Sequence, residues 1–124
     1  MRLALLLVIC ASVIACSTNP TSGPIAIELG EFYIAPESDS VLAGQVTLEV
    51  SNDGQFPHTV VVATSAGEVV AASEVIAPDS SFKLALDLHP GTYQLTCRIV
   101  FKGDDGRLID HYQEGMGALI HVES

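Results

Sequence analysis

Positive charge is scarce in this chain: lysine and arginine together number five, against fifteen aspartates and glutamates, for a formal net charge of −10. That balance excludes nucleic acid and anionic lipid surfaces as partners, while a basic patch on another protein would be attracted at long range. The carboxylates are spread along the chain, so solubility alone also accounts for them. Enzyme signatures are missing as well, with no His-Glu-x-x-His zinc helix, no phosphate loop and no Gly-x-Ser-x-Gly elbow. The chain is therefore not expected to be an enzyme. Nor does any apolar run reach the ~20 residues that span a bilayer.

The longest apolar stretch stands at the start. Arg2 precedes Leu3-Ala4-Leu5-Leu6-Leu7-Val8-Ile9-Cys10-Ala11 and then Ser12-Val13-Ile14-Ala15-Cys16. This is the charged, apolar and small-residue order of an export signal, which predicts a signal peptide over residues 1–15. Val13-Ile14-Ala15-Cys16 resembles the lipobox of bacterial lipoproteins, which implies acylation of Cys16 and attachment to a membrane at its periplasmic or extracytoplasmic face. An ordinary signal whose cleavage site contains a cysteine is the alternative. Residues 16–24 read as the lipidated terminus and a linker, and residues 25–124 as one domain.

Cysteine is sparse too. Of three, Cys10 leaves with the signal and Cys16 lies at the new terminus, so Cys97 has no partner for a disulfide. A lone thiol in an oxidising compartment is either buried and inert or held as thiolate by a metal. Near it in sequence stand His111 and Met116, with His58 upstream. Thiolate, imidazole and thioether together suit copper better than other common metals. Electron transfer is the function to which such a set points.

In the region after residue 24, short runs of Val, Ile and Leu are bounded by Gly, Pro, Asn, Asp and Ser, which predicts an all-β fold. Strands are expected at 25–29, 31–35, 45–51, 59–63, 68–73, 81–88, 92–100 and 118–122. Alternation is clean in Val46-Thr47-Leu48-Glu49-Val50 and in Phe82-Lys83-Leu84-Ala85-Leu86-Asp87-Leu88. Each such strand has one buried face, and two such sheets close into a sandwich.

Asn52-Asp53-Gly54 through Pro57-His58, Pro90-Gly91-Thr92-Tyr93 through Cys97, and His111 with four residues before Met116 together resemble the cupredoxins, the plastocyanin, azurin and sulfocyanin type of blue copper domain. The resemblance implies a Greek-key β-sandwich of about eight strands and one type 1 copper. His58 and His111 would bind it through imidazole nitrogen, Cys97 through thiolate and Met116 as a weak axial ligand. It also implies a redox partner, a c-type cytochrome or a copper oxidase or reductase with a basic docking patch, and a monomer. Gly115, Gly117, Ala118, Phe56 and Pro57 would form a small apolar rim, with electrons leaving through an exposed edge of His111.

Two features depart from the family pattern. Thirteen residues, Arg98 to Asp110, separate Cys97 from His111, where the family has only a few. Arg98-Ile99-Val100-Phe101-Lys102 and Arg107-Leu108-Ile109-Asp110 flank Gly103-Asp104-Asp105-Gly106, which predicts a hairpin that brings the two ligands back within roughly 5 Å. Thr59 stands where the family often has asparagine, so a weaker tie between the ligand loops is expected. His89 and His121 are expected to play no part. Two other functions share these residues: a copper chaperone or storage lipoprotein, and a metal-free immunoglobulin-like interaction module with Cys97 in its core.

Overall fold

The computed structural model describes residues 19–124. The signal peptide and the Cys16 acylation site expected from sequence lie outside the described residues. Eleven strands and no helix make up the described part: β1 (Ile25–Gly30), β2 (Tyr33–Pro36), β3 (Ser40–Leu42), β4 (Gly44–Asn52), β5 (Val61–Thr64), β6 (Val69–Ala72), β7 (Ser81–Leu88), β8 (Gly91–Thr96), β9 (Val100–Lys102), β10 (Leu108–Asp110) and β11 (Gly117–Glu123).

Two sheets face each other. One has the order β2-β1-β4-β7 and the other β3-β11-β8-β5-β6, while β9 and β10 form a separate hairpin. Most pairs are antiparallel, but β1 runs parallel to β4 and β3 parallel to β11. The alternation read from sequence places Val46, Leu48 and Val50 of β4 inward, with Ile25, Ile27 and Leu29 of β1 beside them. Val62, Leu95, Ile120 and Val122 answer from the second sheet. Burying apolar side chains of this size contributes ~1.5–3 kcal/mol each, and the core so formed fixes the ends of the strands.

Nine strands form the sandwich rather than about eight, the addition being β3. It has three residues and sits on the edge beside β11, with Ser40 and Val41 buried. Thr21, in the span read as linker, pairs with Val41 and donates its N–H to Ser40 O at 2.9 Å.

Strand ends differ from expectation where the chain serves the site. The strand expected over 92–100 stops at Thr96, because the Cys97 N–H turns to Met116 O at 3.3 Å and the Arg98 N–H to Thr59 Oγ1 at 3.4 Å. The strand expected over 31–35 begins only at Tyr33. Gly30 and Tyr33 pair directly, leaving Glu31 and Phe32 as a two-residue turn. The hairpin forms as predicted, with Val100 opposite Asp110 and Lys102 opposite Leu108.

Candidate metal centre

One end of the sandwich gathers the turn between β1 and β2, the loop after β4, and the chain from Cys97 to Met116. The other end holds Gly44, Leu88 and Gly91. The loop after β4 is set by Asn52, which is fully buried and whose amide is fully used. Its Nδ2 donates to Phe56 O and Ile76 O, both at 2.9 Å, and its Oδ1 accepts from the Gly54 N–H at 3.0 Å. Beyond it, His58 exchanges backbone hydrogen bonds with Ile76 at 3.1 and 2.8 Å. His58 is thus carried by a rigid loop.

Three of the four expected ligands converge. His58, Cys97 and His111 are all buried, and their donor atoms lie within 4.8 Å of one another. His58 Nδ1 is 3.1 Å from His111 Nδ1, and Cys97 Sγ is 3.5 Å from His111 Nδ1 and 4.0 Å from His58 Nδ1. Donors bound to one small metal ion at about 2.0–2.3 Å stand roughly 3–4 Å apart, so the spacing fits a shared ion. Met116 is fully buried, and its backbone joins two of these residues: its N–H donates to His111 O at 3.0 Å and its carbonyl accepts from Cys97.

The extra thirteen residues do not open the site. The His111 N–H donates to Ile99 O at 3.0 Å, closing the loop at the foot of the hairpin. Thr59 corrects the weak tie expected of it. Its N–H donates to Cys97 Sγ at 3.4 Å, its hydroxyl lies 3.7 Å from the same sulfur, and its Oγ1 accepts from Arg98. Threonine therefore links the loops through the sulfur itself.

Sequence reasoning missed Glu31. Its carboxylate accepts from the Gln55 and Phe56 N–H groups at 2.9 Å and lies 2.9 Å from His58 Nε2. Burial pushes the Glu31 carboxyl up, but those two backbone donors and the His58 ring outweigh it, holding the group below its ordinary value. A carboxylate can only accept here, so the contact calls for a proton on His58 Nε2, and in the neutral ring that leaves the Nδ1 lone pair facing the cluster. Only a lone glutamate between two apolar strands marks this residue in the sequence.

His111 is fully buried, which corrects the expected exposed edge. Phe32 lies 5.0 Å from its ring and Phe101, on the hairpin, meets it edge-on at 5.4 Å. Burial first, and then the neighbouring His58, lower the pKa of His111. Phe56 packs on Phe101 at 5.4 Å and remains exposed. His89 and His121 are exposed and remote from the cluster, His121 lying 3.1 Å from Thr92 Oγ1.

The donor chemistry favours an ion between the imidazoles. With His58 Nδ1 unprotonated, the facing His111 Nδ1, 3.1 Å away, either takes a proton and donates it to His58 or brings a second lone pair that a cation between the rings would satisfy; buried His111 Nε2 has no partner in either form. A soft cation accepts both lone pairs and the sulfur. His58, Cys97, His111 and Met116 are arranged as a type 1 copper site.

A family model described as a cupredoxin-like domain matches residues 3–109, ending just short of His111. The fold is similar to reduced auracyanin from Roseiflexus castenholzii, with a TM-score of 0.60 at 18% identity, covering 86% of this chain and 100% of that one. It is similar to auracyanin A, a "blue" copper protein from Chloroflexus aurantiacus, with a TM-score of 0.58 at 18% identity over 81% and 99% of the two chains. Rusticyanin from Thiobacillus ferrooxidans gives a TM-score of 0.57 at 14% identity over 81% and 77%. Among curated proteins, none is similar enough in sequence to count as a relative.

Proposed function

Since this chain belongs to the family of cupredoxin-like domains, we propose that it is an electron carrier in which His58, Cys97, His111 and Met116 hold one copper ion. The convergence of two imidazole nitrogens and one sulfur within 4.8 Å, all buried, carries the reading. Copper bound there supplies a one-electron Cu(II)/Cu(I) couple, to which two imidazoles, a thiolate and a weak thioether are acceptable in both states. The chain's own residues do the rest. Asn52 and Ile76 keep the His58 loop in place, Thr59 hydrogen-bonds the sulfur, and Phe32 and Phe101 keep water from His111. Little rearrangement is then needed when an electron arrives or leaves.

A carrier exchanges electrons without exchanging metal. The burial of His111 beneath two phenylalanine rings supports retention, and so favours a carrier over a copper chaperone. The partner is a redox protein, a c-type cytochrome or a copper oxidase or reductase, with a basic patch to meet the net charge of −10. Export and acylation at Cys16 would place the domain at the outer face of a membrane, and neither catalysis nor nucleic-acid binding belongs to this reading.

The test is spectroscopic. The protein starting at Ser17 receives one equivalent of Cu(II), and its visible and electron paramagnetic resonance spectra are recorded. An intense blue thiolate-to-copper band, absent in Cys97→Ser, is the expected result. A folded protein with a free thiol and no such band would overturn it.

A further inference from the structure

The turn between β1 and β2 is two residues long, and both of them touch the cluster. Phe32 lies against the His111 ring, and Glu31 holds His58 Nε2. This turn contributes no donor atom to the expected metal set, yet it meets both imidazoles. The space around it is shaped to match: a Cβ on Gly54 would collide with the Glu31 carboxylate, and one on Gly115, where φ is +122°, would come within 3.2 Å of Phe32 O.

Glu31 in particular has a full set of partners. Two backbone N–H groups of the His58 loop and the His58 ring itself converge on one carboxylate. Its side chain is 24% exposed, and His58 is its only partner among the ion pairs of the described residues. A carboxylate held this way does two things to a ligand histidine. It fixes the tautomer and ring angle, and it raises the electron density that the opposite nitrogen donates.

We propose that Glu31 is the positioning residue of this centre: it locks His58 with the proton on Nε2 and Nδ1 turned to the metal, and its charge favours oxidised over reduced copper. The proposal rests on the copper reading above. The carboxylate attracts the additional positive charge of Cu(II), and His58 relays that preference through its 2.9 Å hydrogen bond. Phe56, whose N–H donates to the same carboxylate, is thereby fixed over the hairpin's Phe101.

The experiment compares Glu31→Gln with the unaltered protein, both copper-loaded, by reduction potential and electron paramagnetic resonance. Glutamine keeps the size and an acceptor oxygen but loses the charge. Loss of such partners typically costs 10–100-fold in metal affinity. A preference for Cu(II) weakened about tenfold raises the potential by about 59 mV, the one-electron equivalent of that factor. Glu49→Gln removes the same charge from the remote, exposed pair with Lys83 and should leave the potential unchanged. Equal potentials in the Glu31 and Glu49 variants, or a fall in the Glu31 variant, would overturn the proposal.

A second measurement needs neither a variant nor copper. Nitrogen-15 NMR of the metal-free unaltered protein should show His58 protonated on Nε2 alone, whereas an Nδ1–H form or a mixture would overturn the lock. Failure of copper binding by the unaltered protein would thus sink the carrier reading, while the tautomer of His58 still decides the role of Glu31.

Discussion

The loop carrying His58 and the hairpin between Cys97 and His111 lie over the same cluster, but different forces hold them. The loop is tied by buried Asn52, by the exchange between His58 and Ile76, and by the Glu31 carboxylate. The hairpin has three paired positions, a Gly103 N–H to Arg107 O bond at its tip, and side chains that face water, with Val100 52% and Leu108 69% exposed. A two-stranded ribbon with so little buried surface is marginal by itself. The difference teaches that the ligands are positioned by the sandwich and its loops, while the hairpin only covers what they form. Extra length between Cys97 and His111 is tolerated because Ile99 and His111 close its base.

Breaking the rigid loop should have the largest effect. Asn52→Ala leaves the Phe56 carbonyl and the Gly54 N–H without this partner and the Ile76 carbonyl with only the His58 N–H, and ~1–3 kcal/mol of stability should be lost on urea unfolding, since buried groups left unpaired cost that much. An unchanged midpoint would show that the loop is held by other means.

Acid acts next on the same side of the comparison. Buried His111 has a lowered pKa, so the unfolded chain takes its proton more readily than the fold does. Stability of the metal-free protein should therefore be full above ~6.5 and fall as the pH drops through and below that value. Glu31, whose value is also lowered, adds a second loss as the pH falls from its ordinary range, ~4.3, through its depressed one. Urea midpoints at about pH 7.5 and about pH 5.5 bracket the His111 part, and equal midpoints would show a ring free to take up its proton.

The hairpin should prove nearly silent in stability and loud at the site. Phe101→Ala is expected to cost less than about 1 kcal/mol, because Phe101 itself is only half-buried. It should still speed alkylation of Cys97 in the metal-free protein several-fold by uncovering His111. Smallest of all, Leu108→Thr on the exposed arm should change stability by no more than about 0.5 kcal/mol. A larger loss from either would mean that the hairpin supports the fold after all.

What could be read in the sequence divides along the same line. The alternation of Val46, Leu48 and Val50 gives a core strand, and Gly103-Asp104-Asp105-Gly106 gives a hairpin, because each is a local pattern with a local cause. Strand β3 escapes, since three residues are too few to show a period and its pairing is with β11, some eighty residues away. The cluster of His58, Cys97 and His111 is legible as a set of chemically matched donors. Glu31 and Phe32 are not, because a two-residue turn carries no sign of which distant rings it will meet. The burial of His111 follows from those same contacts and was equally hidden.

Thr21 enters the fold beside Val41, whose other neighbour, Val122, pairs with Gly91. From Gly91 the strand β8 runs to Thr96, next to Cys97, a climb of roughly 17 Å at about 3.4 Å per residue. The tail thus leaves from the foot of the domain and the metal centre sits at its head. Phe56 and the hairpin therefore stand at the end of the domain opposite the entry of the chain, open to whatever comes from solution.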